Sequence, residues 1–288
     1  MTANHIKTVT ILGVAVLLIC ALVLWIFWGN TALELNKYSV KSSGLPEEFS
    51  GFRIAHISDL HNAEMGRKNG KLIGMIKSAH PDIIAITGDL IDSRNTDIDI
   101  ALYFAEQAVK IAPCYFVAGN HEARIEEYES LINGLTDLGV TILNDEKTEL
   151  HKNGQKIWLL GVEDPSFKTD YLFGDEKDVM ADKLENLTDE NGGYTVLLSH
   201  RPELFPIYVK YGVNLVLSGH AHGGQVRLPI LDGLVAPNQW LFPKYDAGLF
   251  SDKDTKMIVS RGIGNSIIPV RINNRPEVIL IELKKDLS

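Results

Sequence analysis

The sequence predicts an α/β domain with largely parallel strand pairing, carried behind one membrane-spanning helix. Three observations lead there. Residues 9–28 form a run of 20 residues without a charge. Several short runs rich in β-branched residues end abruptly at polar residues. Between those runs lie stretches whose apolar residues recur with helical period.

The uncharged run comes first. At about 1.5 Å of rise per residue, a helix of this length spans roughly the 30 Å hydrocarbon core of a bilayer. Cleaved signal peptides carry shorter apolar stretches of about 7–15 residues and small residues at the cut site. This run instead closes on Trp25, Ile26, Phe27 and Trp28. Residues 1–32 are therefore expected to be an N-terminal tail and an uncleaved anchor. Its two tryptophans suit the interface, which accommodates both an apolar ring and a polar N–H. Cys20 follows the bulky Ile19 and not the small residue that bacterial lipidation wants, so it reads as a lipid-facing side chain. Lys7 and the α-amino group precede the helix while Lys37 and Lys41 come after it, so positive charge sets no orientation.

Residues 33–50, polar and interrupted by Ser42, Ser43, Gly44 and Pro46, read as a linker: a stalk or an irregular first strand. The body is expected over 51–288, a length one α/β domain can fill, without internal repeats. Buried strands are expected at 52–57, 82–86, 115–118, 194–198 and 213–217. Helices are expected at 71–79 around a Leu72–Ile73 core face, at 98–109 and at 125–138.

Charge narrows the function. With 28 Lys+Arg against 37 Asp+Glu the formal charge is -9, which argues against nucleic-acid binding by phosphate neutralisation. An acidic chain needs cations before it can hold a phosphate. Most of the surplus carboxylates read as solvated surface. The two cysteines form no disulfide framework, and Cys114, in the run Cys114-Tyr115-Phe116-Val117, is expected to be a buried free thiol.

The residues at the carboxyl end of each strand carry the chemistry. The expected strands lead into Ser58-Asp59-Leu60-His61, Thr87-Gly88-Asp89, Gly119-Asn120-His121-Glu122, Ser199-His200 and Ser218-Gly219-His220-Ala221-His222. That edge of an α/β sheet is where ligand crevices lie, so these blocks converge despite their separation in sequence. Taken alone, a Gly-Asp is usually a turn and a strand-end His is usually a hydrogen-bonded structural residue. Together they offer two Asp, one Asn and five His, a donor mix that suits Mn, Fe or Zn better than Ca or Mg. A single zinc needs about three or four protein ligands, so two metals are expected. His5, His56, His80 and His151 fall elsewhere and read as structural.

In order and content these five blocks resemble the signature of the calcineurin-like metallophosphoesterase superfamily, from about Gly51 onward. His220-Ala221-His222-Gly223-Gly224-Gln225, Ala236-Pro237-Asn238 and the 261–266 stretch are similar to its bacterial membrane-anchored branch. The resemblance implies a four-layer α/β/β/α sandwich with two divalent metal ions, Mn, Zn or Fe. It implies that Asp59, His61 and His222 bind one metal, that Asn120, His200 and His220 bind the other, and that Asp89 bridges them. A hydroxide shared by the metals would attack phosphorus, with His121 as general acid and Asp92 as its partner. Where the protein-phosphatase branch has an Arg after that Asp, this chain has Ser93; Arg94 or Arg201 could replace it, or either could be an ion pair only. Gly223 and Gly224 could admit substrate close to the backbone or simply form a turn. The 240–243 stretch could form an apolar lip touching lipid, but covering a sheet face is the favoured reading.

The expected function is a phosphodiesterase or pyrophosphatase at the membrane, acting on a phosphoester substrate for which a lipid head group is one candidate. A phosphomonoesterase and a non-catalytic metal-binding envelope protein are the alternatives. The two-metal metallo-β-lactamase pattern is rejected because Gly224 and Gln225 stand where it needs Asp and His. The resemblance places the domain outside the cytoplasmic membrane as a single-pass protein.

Overall fold

The computed structural model describes residues 3–168, 175–188, 192–265 and 270–287, so Ser266 of the 261–266 stretch lies outside it. Helix α1 (Ala3–Thr31) is continuous, and its Thr10–Thr31 part is long and apolar enough to cross a membrane. Leu17, Leu24 and Phe27 are exposed, as an apolar surface awaiting lipid would be. The last turn grips the body: the Asn30 amide donates to the Arg271 carbonyl at 3.1 Å and accepts from its N–H at 2.9 Å.

The 33–50 segment corrects the linker reading. Strand β1 (Glu34–Ser42) is regular and pairs in parallel along its whole length with the C-terminal strand, Glu34 opposite Glu277 through Ser42 opposite Lys285. Val40, Leu45 and Phe49 are buried in the core. The strand looks polar because it lies at a sheet edge, where one face can remain wet.

The remaining strands are β2 (Arg53–Ile57), β3 (Ile83–Ile86), β4 (Cys114–Phe116), β5 (Thr141–Ile142), β6 (Glu146–Lys152), β7 (Gln155–Val162), β8 (Thr195–Ser199), β9 (Leu215–Ser218), β10 (Arg227–Leu228), β11 (Asp232–Gly233), β12 (Val235–Ala236), β13 (Trp240–Leu241), β14 (Gly248–Asp252), β15 (Thr255–Val259) and β16 (Glu277–Lys285). One six-stranded sheet runs β1-β16-β2-β3-β4-β5 and the other β14-β15-β9-β8-β7-β6. The neighbours β2/β3, β3/β4, β7/β8 and β8/β9 are parallel, while β6/β7 and β14/β15 are antiparallel hairpins. The five strands expected from the sequence are all present, within two residues at each end.

The sheets stack face to face. Ile54, Ala85 and Ile281 from the first interleave with Ile157, Val196 and Leu217 from the second. The outer face of the first sheet is covered by α2 (Gly70–Ala79), α3 (Ile98–Ala108) and α4 (Tyr128–Asp137), the outer face of the second by α5 (Glu176–Thr188) and α6 (Phe205–Lys210). This is the expected four-layer α/β/β/α sandwich. Cys114 is buried and free, and burial pushes its thiol up to about 12. The 240–243 stretch covers no sheet: Trp240, Leu241 and Phe242 are exposed.

Candidate metal centre

Asp59 and His61 follow β2, Asp89 follows β3, Asn120 and His121 follow β4, His200 follows β8, and His220 and His222 follow β9. Loops from both sheets thus meet along one edge of the sandwich. The backbone there is costly: φ is 52° at Asp59, 45° at His61, 53° at Asp89, 64° at His220 and 48° at His222. L-residues avoid this left-handed region, and strain concentrated in one place is held there by the surrounding structure.

Three devices hold it. The β2 and β3 ladder continues past the strands, with Asp59 N–H on the Gly88 carbonyl at 3.1 Å and His61 N–H on the Asp89 carbonyl at 3.0 Å. Gly219 permits the closest approach, since a Cβ there would collide with Ser58 Oγ and the Asp59 carboxylate. The third is Glu122, fully buried, whose carboxylate accepts from the N–H groups of Asp89, Leu90 and Gly119, each at 2.8 Å. Burial and the Asp89 charge push Glu122 up to about 7. Glu122 stands inside the fourth-strand motif, yet nothing in the spacing assigns it this role, because its partners come from two separate loops.

Two groups of donor atoms result. Asp59, His61 and His222 present ligand atoms within 4.8 Å of one another, and so do Asp89, His200 and His220. His61 Nε2 and His222 Nε2 face each other at 3.2 Å, and His200 Nε2 and His220 Nδ1 at 3.2 Å. Two nitrogens bound to one tetrahedral cation at about 2.0–2.1 Å lie roughly 3.3 Å apart, so both pairs fit a shared metal. Asp89 Oδ2 stands between the groups, 3.1 Å from His200 Nε2 and 3.6 Å from His61 Nε2. Asn120 Oδ1 is buried with no protein partner, as a neutral oxygen ligand would be.

Neighbours orient the imidazoles. His200 Nδ1 lies 2.7 Å from the Thr87 carbonyl, so Nδ1–H donates there and Nε2 is turned towards Asp89 and the metal site. His220 Nε2 lies 3.2 Å from Asn238 Oδ1 and 3.4 Å from Arg201 Nη1, which turns Nδ1 towards His200. The field attracts cations: burial would depress His200, yet Asp89 and Asp59 hold it up at about 10. His222 is pushed down to about 3 by burial against the pull of Asp59, so it offers a lone pair.

The acid–base group differs from expectation. His121, His61 and Asp92 cluster, but Asp92 Oδ1 is 3.6 Å from His121 Nδ1, too far for a hydrogen bond, and Asp92 pairs with Arg94 at 2.6 Å. The Ser93 N–H donates to His121 Nδ1 at 3.0 Å instead. Neutral His121 therefore carries its proton on Nε2, and burial lowers its affinity for a second one. Arg201 replaces no substrate contact, because its guanidinium is consumed by the buried Asp164 carboxylate. Gly224 admits protein and not substrate: a Cβ there would meet the Gly233 backbone. Arg271, which no sequence signal marked, is fully buried with Nη2 3.4 Å from His222 Nδ1.

A family model described as calcineurin-like phosphoesterase matches residues 52–224. The Bacillus subtilis metallophosphoesterase YkuE is 31% identical over 268 residues, covering 88% of this chain and 86% of its own. A Danio rerio transmembrane protein with metallophosphoesterase domain is 30% identical over 84% of this chain, which spans 55% of that protein. The solved Thermus thermophilus protein TT1561 shares the fold at a TM-score of 0.52 and 13% identity, covering 74% of this chain and 91% of its own.

Proposed function

As this chain belongs to the calcineurin-like phosphoesterase family and is a hydrolase acting on phosphoesters, we propose that it is a two-metal phosphodiesterase or pyrophosphatase working at a membrane surface. The observation that carries the reading is the pair of facing imidazole contacts at 3.2 Å with Asp89 between them. Asp59, His61 and His222 would hold one divalent ion and Asn120, His200 and His220 the other, with Asp89 shared; the donors suit Mn, Fe or Zn. Bound there, such ions acidify water and neutralise phosphoryl oxygens.

The chain's own residues supply the rest. His121 projects Nε2–H from the adjoining loop, with Nδ1 tethered by Ser93 N–H. Once protonated to imidazolium, with Ser93 Oγ 3.1 Å from Nδ1 to accept the second N–H, the ring passes its Nε2 proton to the leaving oxygen as the P–O bond breaks and is left neutral. Asp92, 3.6 Å away, favours any positive charge the ring gains. His121→Gln is expected to cost about 10²-fold on an alkyl diester and far less on a nitrophenyl diester, whose leaving group needs no proton. Equal losses on the two substrates would remove His121 from this role.

Membrane location rests on α1 and on the likeness to the Danio rerio transmembrane protein. The resemblance favours a single-pass chain with its domain outside the cytoplasm, which thiol labelling of Lys253→Cys on intact cells tests; labelling only after lysis reverses the side.

The direct test is hydrolysis of an aryl phosphodiester and the matching monoester by the full chain in detergent, with Mn²⁺ or Zn²⁺. Metal-dependent diester turnover is expected. Monoester preference would make the protein a phosphomonoesterase, and no turnover with metal bound would favour a binding protein. Chelation should also lower Tm by about 5–10 °C, since ligands at 100 times Kd contribute about 2.7 kcal/mol. An unchanged Tm on stripping bound metal, verified by elemental analysis, would contradict the assigned donors.

A further inference from the structure

We propose that the apolar lip beside the metal centre docks on the bilayer that holds α1, so that the substrate is the phosphoester or phosphoanhydride head of a membrane amphiphile. This deepens the functional reading above and rests on it for the chemistry, while the docking itself rests on the anchor.

The lip consists of two hairpins, β10–β11 and β12–β13. Ile230 is 99% exposed, Trp240 83%, Leu241 63%, Phe242 57%, Leu231 56% and Leu228 37%. Soluble surfaces seldom group so many large apolar side chains. Three of them sit on left-handed backbone, with φ 76° at Ile230, 58° at Trp240 and 56° at Phe242, where an ordinary turn would use Gly or Asn. The nearby acids are neutralised: Arg227 pairs with Asp232 at 3.0 Å and Asp246 at 2.7 Å. Lys244 lies exposed at the rim. Aromatic and aliphatic tips with a basic rim and compensated carboxylates match the bilayer interface.

Continuity with the anchor identifies the occupant. Asn30, in the last turn of α1, exchanges two hydrogen bonds with the Arg271 backbone. Ile272 bridges to Val226 and accepts from Arg227 N–H at 2.9 Å, and Leu228 of the lip comes next. The lip therefore starts about 5 Å, one strand spacing, from the residues that grip the end of α1. Trp28 lies there too, under the Arg275 guanidinium at 4.7 Å, as a ring at the lipid–water boundary would.

The same hairpins reach the metal donors. Leu234 N–H donates to the Gly224 carbonyl at 3.1 Å, two residues past His222. Asn238, two residues before Trp240, touches His220 at 3.2 Å. A docked lip thus turns the centre towards lipid head groups.

The experiment uses the full chain in phosphatidylcholine vesicles. Ile230→Cys is labelled with bimane, and His151→Cys, on the exposed β6, is the reference. Nitroxide-labelled lipids should quench the label at 230 strongly and at 151 little, while aqueous iodide shows the reverse. Iodide access at 230 equal to that at 151 overturns docking, and so does shielding from both quenchers, which would mean a second copy covers the lip. Quenching needs no turnover, so it is read independently of whether the enzyme reading holds. For the substrate, the Trp240→Ser, Phe242→Ser variant should keep turnover of a soluble aryl diester and lose about tenfold or more on a vesicle-borne lipid diester. Equal turnover of that lipid by variant and wild type overturns the substrate class.

Discussion

Asp89→Asn is expected to lower phosphoester turnover by about 10³-fold or more and to reduce bound metal from two equivalents towards one. The side chain sits 3.1 Å from His200 Nε2 and 3.6 Å from His61 Nε2. Two dications a few ångströms apart repel, and an anionic oxygen between them offsets part of that repulsion. An amide keeps the shape and can still accept the His121 N–H that now reaches Asp89 Oδ1 at 2.8 Å. Fold is therefore preserved while charge is removed, and a loss of several kcal/mol at about 1.4 kcal/mol per decade gives a factor of that size. Elemental analysis alongside kcat/KM decides it. A variant holding both metals and working within about tenfold of wild type would defeat the bridging assignment.

Asp164→Ala should produce the largest loss of stability, about 3–5 kcal/mol, read as a Tm lower by roughly 6–15 °C. Asp164 and Arg201 are both buried, and the guanidinium donates to both carboxylate oxygens. Removing the acid strands a buried cation that Glu203, at 3.3 Å, and Glu176, at 3.6 Å, only partly compensate. The pair also sets an acid limit. Burial works to raise the Asp164 carboxyl, but Arg201 overrides it and holds it down at about 2, against 3.8 unperturbed. The carboxyl is thus more acidic folded than unfolded, so its contribution is complete above about pH 4 and disappears as pH falls through about 2. That contribution is about 2–3 kcal/mol. Thermal unfolding at pH 7 and pH 3 should show a shallower acid slope in Asp164→Asn than in the parent. Parallel curves would mean the pair does not govern acid stability.

The parts of this molecule legible in its sequence are those whose chemistry is local. β3, β8 and β9 are buried on both faces, so each is a continuous apolar run ended by a polar residue. The donors sit immediately beyond, where identity and spacing speak together. β1 was hidden because an edge strand can be polar. The β6–β7 hairpin turns at Asn153-Gly154, a strong turn signal that could have revealed it, but β6 is half wet and lacks a clean pattern, while β7 opens on two exposed polar residues before its buried run. Glu122, Ser93 and Asn238 escaped for another reason. Each acts through a backbone group or ring nitrogen brought to it by a different loop, and no spacing encodes that. Asp92 shows the converse: a motif position can be right in sequence while its carboxylate turns to Arg94.

The pairing of β1 with β16 has a consequence for synthesis. The first strand after the anchor finds its partner roughly 240 residues later. Behind the apolar helix α1, β1 must wait with an open edge until β16 has been synthesised. Closing that sheet is a late, long-range event, and the edge beside α1 stays available to chaperones, or to neighbouring chains, until then.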